Sequence, residues 1–114
     1  ELLFCDANFI EKELNKLFLK LKSENYLKDC TEDNIASKAA YYLGEINAIH
    51  PFREGNGRTQ REFIRELLLP TGFYVDYSRC NAKMMLYASI NAFAGDYTLM
   101  TELFDKCIVR KPLN

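Results

Sequence analysis

The residues best equipped for chemistry lie together in His50-Pro51-Phe52-Arg53-Glu54-Gly55-Asn56-Gly57-Arg58-Thr59-Gln60-Arg61. This stretch holds the only histidine, two of the five glycines, an acid and three arginines. Gly55 and Gly57 have no Cβ, so the backbone can turn sharply there and bring its N–H groups against a bulky anion. Asn56 between them can cap a following helix while its amide donates to a phosphate oxygen, and the helix N-terminus adds unpaired N–H groups and a positive dipole end. Arg58 and Arg61 lie three positions apart and can reach the same end of this cradle, which suggests a di- or triphosphate. Glu54 supplies a hard oxygen ligand where Mg²⁺ could bridge two phosphates. His50 titrates near neutral pH and could take a proton from an attacking hydroxyl. Phe52 is expected to point inward and pin the loop to the core. The pattern is not Walker A, since no G-x-x-x-x-G-K-[ST] is present, nor a Rossmann turn, since no strand precedes it.

Each feature alone has a blander reading. A lone histidine after a helix is more often a cap or a partly buried residue than a base. Gly-Asn-Gly is commonly just a turn, and Arg58 with Glu62 could be an exposed i, i+4 pair worth roughly a few tenths of a kcal/mol. The joint order shifts the balance. Arg61 and Arg65 would also repel across one turn unless an anion or acid lies between them.

The elements that must position these residues read as helices. Asp6 and Asn8 offer cap oxygens before Phe9, Ile10, Leu14, Leu17, Phe18 and Leu21, whose spacing marks one apolar helical face. Thr31 caps a second helix with Ile35, Ala39, Leu43, Ile46 and Ile49 on its core side, ending near His50 because Pro51 disfavours the α conformation before it. Gly44 inside that helix costs up to about 1 kcal/mol relative to alanine, so close approach of another helix is the expected compensation. A third helix, starting about Gly57 or Arg58, carries Phe63, Ile64, Leu67 and Leu68 and stops at Pro70. Phe73 to Tyr77 reads as an irregular or extended connection. Ser78 or Asn81 could cap a fourth helix through Met84, Met85, Ala88 and Phe93, with the methionine pair read as core filler and Gly95 ending it. Asp96 then caps a last helix through Leu99, Met100, Leu103, Phe104 and Ile108. The fold class is all-α, a compact bundle of about five helices with the reactive loop between the second and third.

Composition narrows the classes further. A chain of 114 residues with 48% hydrophobic content is sized for one domain, residues 1–114. Its net charge of -1 offers no general attraction to nucleic acid or an anionic membrane, so anion binding must be local. No apolar run approaches a membrane span, and the start lacks the regions of a signal peptide. Cys5, Cys30, Cys80 and Cys107 are far apart in sequence and make no zinc pattern; free thiols are the expected state, with a disulfide pair as the alternative. A soluble, cytosolic domain cut from a longer protein is the expectation.

His50 to Arg61 resembles the signature of the Fic domain family, H-P-F-x-[DE]-G-N-G-R-x-x-R, with every fixed position filled. The flanking Ile46 to Ile49 and Thr59 to Ile64 are also similar to that family, and the resemblance extends more loosely over nearly the whole chain, including Gly95-Asp96. It implies an all-α fold and transfer of AMP from ATP to a Ser, Thr or Tyr hydroxyl of a target protein, with release of pyrophosphate. By the same resemblance His50 is the general base, Glu54 binds Mg²⁺, Gly55, Asn56 and Gly57 form the anion hole, Arg58 and Arg61 hold the outer phosphates, and Phe52 is the buried anchor. Family members that phosphorylate their targets carry lysine where this chain has Gly57, which argues for nucleotidyl transfer. The family's flap hairpin would lie upstream of the first helix and is largely missing here. Thr98 to Glu102 fits the first part of the family's autoinhibitory motif, but Leu103 replaces its Gly or Asn and the spacing suits a core helix, so inhibition is expected from a separate antitoxin-like protein or from chain outside this fragment. Met85 and Asn91 are candidates for base recognition. The implied location is the cytoplasm, or a host cytosol for a secreted bacterial effector. Transfer of another nucleotide or phosphate-containing group on the same fold, and a non-catalytic nucleotide-binding or interaction module, are the alternatives.

Overall fold

In a computed structural model, which describes residues 7–49 and 56–112, five α-helices form, and most but not all of their expected core residues are buried; Phe93 and Leu99 are exposed. Helix α1 spans Ala7–Ser23 and buries Leu17 and Leu21, with Ile10 and Leu14 half-buried. Phe9 and Phe18, counted on the same apolar face, are exposed instead, and Phe18 leans on Phe63 with ring centroids 6.1 Å apart. Because α1 starts at Ala7, Asn8 stands inside the helix rather than capping it.

The chain leaves α1 through Asn25, Tyr26 and Leu27, all at positive φ. A left-handed turn of this kind costs each non-glycine residue roughly 1–2 kcal/mol. Full burial of Leu27 and a 3.1 Å bond from Asn25 Nδ2 to Asp29 Oδ2 offset it. Thr31 then holds the turn before α2, accepting the Asp33 N–H at 3.2 Å on its side chain and the Ile35 N–H at 3.0 Å on its carbonyl.

Helix α2, Ile35–Ile49, is the central element: Ile35, Ala39, Ala40, Tyr42, Leu43 and Ile46 are all buried. Gly44 is a point of close approach. The neighbour is the Tyr97 ring at the start of α5, which a Cβ on Gly44 would overlap. Tyr97 is fixed there by donating its hydroxyl to Glu45 Oε2 at 2.5 Å.

Helix α3, Asn56–Leu68, starts one residue earlier than its sequence suggests and buries Ile64 and Leu68. After it, Phe73–Val75 forms β1, which pairs antiparallel with β2, Ile108–Arg110, with Tyr74 opposite Val109. Ile108 therefore belongs to a strand and not to the last helical face: the helical spacing from Phe104 runs on, but the chain turns extended to meet β1. Helix α4, Ala82–Phe93, is capped by Asn81, whose Oδ1 accepts the Met84 N–H at 2.8 Å. Ser78, the other cap candidate, sits in the short 3-10 turn Tyr77–Arg79. Gly95 at φ 96 turns the chain out of α4, a conformation that favours glycine. Helix α5, Thr98–Cys107, follows, with Asp96 Oδ1 accepting the Thr98 N–H at 3.0 Å, and it buries Met100, Leu103, Phe104 and Cys107. Among the described residues no helix is long and apolar enough to cross a membrane.

Candidate active site

The reactive loop lies between the C-terminus of α2 and the N-terminus of α3. His50, Phe52, Glu54 and Gly55 lie outside the described residues, so the site is built from the helices that carry it. Asn56 opens α3, and Gly57, Arg58 and Arg61 occupy its first two turns. There the orphan N–H groups and the positive dipole end point back toward the loop.

A polar brace sets the spacing of the two helices. Gln60, only 7% exposed, donates its Nε2 to Asn47 Oδ1 at 3.0 Å, in the last turn of α2. Buried amides need partners, so this pair ties the flanks of the loop at a fixed register. Neither residue is marked by the sequence pattern, because a single amide on a helix face reads as solvated.

Arg61 defines the interior of the site. A Cβ on Gly57 would sit 3.0 Å from Arg61 Nη1 and 3.9 Å from its Cζ, so the guanidinium lies folded back over the bare backbone of Gly57. Its own backbone carbonyl is held by Tyr77, which donates its hydroxyl at 2.9 Å. Burial pushes the Tyr77 hydroxyl well above the ordinary phenol value, the nearby Arg61 charge opposing it, so it remains a donor at neutral pH. Glu62 pairs with Arg65, through bonds of 2.9 and 2.5 Å, and not with Arg58. The surface pair that would have explained Arg58 away is therefore not formed, and Arg65 is neutralised by its own acid. Among the described residues neither Arg58 nor Arg61 has a carboxylate within ion-pair distance.

Beside Arg61 opens a cavity of about 410 Å³ lined by Arg61, Tyr77, Cys80, Asn81, Ala82, Met85, Leu86 and Ser89. Its size falls in the range of small-molecule sites. Met85 faces this cavity, whereas Asn91 is not part of its lining. Tyr77 and Ser89 were not marked by the sequence, and Asn81 was marked only as a helix cap; the aromatic run ending at Tyr77 is the one signal that could have pointed to the cavity. Glu102 lines a separate cavity of about 200 Å³ with Met84, Tyr87, Leu99, Leu103 and Lys106. Leu103 is buried in the core, as the ordinary-helix reading of Thr98 to Glu102 requires.

The sequence and the fold are similar to those of known proteins. The Fic/DOC family model matches residues 1–68. The chain belongs to the Fic/DOC family. It is 37% identical over 111 residues to the protein adenylyltransferase VbhT of Bartonella schoenbuchensis, a match covering 97% of this chain and 23% of VbhT. The N-terminal Fic domain of a VirB-translocated Bep effector from Bartonella quintana, solved with bound ADP, superposes with a TM-score of 0.87 at 34% identity, covering 95% of this chain and 51% of that one. BepC of Bartonella tribocorum, solved with bound AMPPNP, gives a TM-score of 0.86 at 33% identity over 96% of this chain and 52% of its own. The chain thus spans about a quarter of VbhT and about half of each solved Fic chain.

Among the described residues no three His, Cys, Asp or Glu side chains are close enough to share a metal. Mg²⁺ at such a site needs little protein: one carboxylate beside the α3 N-terminus, with the remaining oxygens from substrate phosphates and water, suits its preference. Glu54 is the acid in that sequence position.

Proposed function

We propose that this Fic domain transfers AMP from ATP to a hydroxyl side chain of a target protein and releases pyrophosphate. The observation that carries this is the Arg61 guanidinium, without an acidic partner among the described residues, folded over Gly57 at the start of α3 and facing a nucleoside-sized cavity. The names of the relatives and the nucleotides bound to the solved Fic domains support the same reading.

The chemistry follows from the order of residues. The phosphates lie against the backbone of Gly55, Asn56 and Gly57 and the α3 N-terminus, with Arg58 and Arg61 on the outer oxygens. The nucleoside end enters the cavity between Tyr77 and α4, where Met85 and Leu86 offer apolar contact and Asn81 and Ser89 polar groups. His50 takes the proton of the target hydroxyl as its oxygen attacks the α-phosphorus in line, and the bond from that phosphorus to the bridging oxygen of the β-phosphate breaks. Mg²⁺ held by Glu54 and the phosphates would neutralise charge building on the leaving pyrophosphate. Phe52 anchors the loop. An antitoxin-like protein that occupies Arg61 would block the reaction, and the work site is the cytoplasm, or a host cytosol if the protein is secreted.

The test uses ATP labelled separately on its α and γ phosphates, incubated with the protein and candidate targets. Label on protein from the α position only is expected; label from γ only would replace the reading with a kinase, and none from either would favour a binding module. His50→Ala should lower transfer by about 10²–10⁴-fold while ATP still binds. Equal loss of both would contradict its role as base.

A further inference from the structure

None of the four cysteines takes part in this chemistry, and two of them stand beside the cavity wall. Cys80 follows the 3-10 turn in extended backbone, donates its thiol to the Tyr77 carbonyl at 3.4 Å and lines the cavity beside Arg61. Cys107 ends α5, is fully buried, and lies near enough to Cys80 for the two thiols to interact electrostatically. Their segments are fastened together: the Asp76 N–H donates to the Cys107 carbonyl at 2.7 Å, and Val75 pairs with Ile108. One thiol thus lines the cavity, and the other is buried in the segment fastened to it.

We propose that Cys80 and Cys107 form an oxidisable dithiol, a modification site for peroxides, whose closure to a disulfide reshapes the cavity beside Arg61. The sulfur of Cys80 attacks one peroxide oxygen, the O–O bond breaks, and Cys80 becomes a sulfenic acid with release of one water. The sulfur of Cys107 then attacks the Cys80 sulfur, the S–O bond breaks, and the departing hydroxide takes the Cys107 proton as a second water. Two thiols lose two electrons and two protons, and the peroxide is reduced to two waters. Burial pushes the Cys107 thiol up to about 12, so Cys80 is the sulfur that reacts first. A disulfide of about 2.05 Å is shorter than any non-bonded approach of two sulfurs, so Cys80 must move toward α5 and release the Tyr77 carbonyl. Tyr77 holds the Arg61 backbone, and the next residue, Asn81, caps α4. The effect on nucleotide rests on the reading of the cavity given above; the bridge itself does not.

Hydrogen peroxide treatment followed by non-reducing digestion and mass spectrometry tests it. The expected product is a Cys80–Cys107 linked peptide, two hydrogens lighter, released by dithiothreitol, present in Cys30→Ser and absent in Cys80→Ser and Cys107→Ser, with Cys107→Ala serving if the buried serine prevents folding. The bridged protein should bind ATP about fivefold or more weakly than the reduced protein and recover on reduction. Peroxide that oxidises Cys30 or Cys80 without linking Cys80 to Cys107 overturns the dithiol. A bridge with unchanged ATP affinity overturns its connection to the cavity. A reduced protein that binds no ATP overturns the nucleotide reading and with it the effect on affinity, while the linked peptide still decides the dithiol.

Discussion

Two polar clusters flank α2, and they are built to opposite rules. At one, Glu24 takes a bond from Lys38 at 2.6 Å and another from the hydroxyl of Tyr42 at 2.6 Å, and Tyr42 is wholly buried. Every strong group has its partner inside the fold, as buried polar groups must. At the other, Arg61 lies over Gly57 with its carbonyl satisfied by Tyr77 and its charge unmatched by any described acid. The first cluster is complete without a ligand, and under the proposed function the second is completed by one. Stability belongs to the former and binding to the latter, so substitutions should separate the two properties.

The largest effect is expected at Arg61. Arg61→Ala should lower AMP transfer roughly 100-fold, the scale of losing one strong anion-stabilising donor, while the unfolding free energy stays within about 0.5 kcal/mol of the parent. Labelled-ATP transfer and urea denaturation on the same preparation read both. A large loss of stability would break the contrast by making Arg61 a structural residue. Gly44→Ala gives the inverse: the new Cβ collides with the Tyr97 ring, and overpacking of this kind costs about 1–3 kcal/mol. A lowered denaturation midpoint with ATP affinity unchanged per folded molecule is the expected result. Glu24→Leu should follow with about 1–3 kcal/mol, because it leaves the buried Tyr42 hydroxyl without its acceptor. Isothermal calorimetry should find its ATP affinity within about twofold of the parent, since that cluster takes no part in binding.

How much of this was legible depended on the range of each interaction. Leu17, Leu21, Leu43, Ile46, Ile64 and Leu68 are buried as their helical spacing requires, since a helix face is a local property of the chain. The extended run at Phe73 was legible, but its pairing with Ile108–Arg110 was not, because those two three-residue strands are joined only by each other. Gly44 announced a close neighbour but not that it would be Tyr97, more than fifty positions on. The site divides in the same way. Arg58 and Arg61 share the start of α3 by spacing alone, whereas the Gln60–Asn47 brace and the cavity wall from Tyr77 to Ser89 arise only when separate helices meet.

The smallest expected effect, in pH, sharpens the comparison most cheaply. Burial alone would raise the Glu24 carboxyl, but hydrogen bonds from Lys38 and Tyr42, with the Lys38 charge, carry it below its ordinary 4.5. A folded value below the unfolded one means that the contribution is fully present above pH 4.5 and is lost as pH falls through the lowered value. Lys38 is shifted the other way, above its ordinary 10.5, chiefly by its bond to Glu24, so its contribution is complete below pH 10.5 and fades as pH rises through the higher value. Asp76 and Asp96 are also lowered, by hydrogen bonds to Ser78 and Thr98, so acid destabilisation of the whole protein would not single out Glu24. The difference in unfolding free energy between the parent and Glu24→Gln does. It should be flat between about pH 6 and pH 9 and shrink as acid protonates Glu24, because only the parent loses a charge there. A difference that persists unchanged to about pH 3 would mean that the cluster is held by shape and hydrogen bonding rather than by its ion pair.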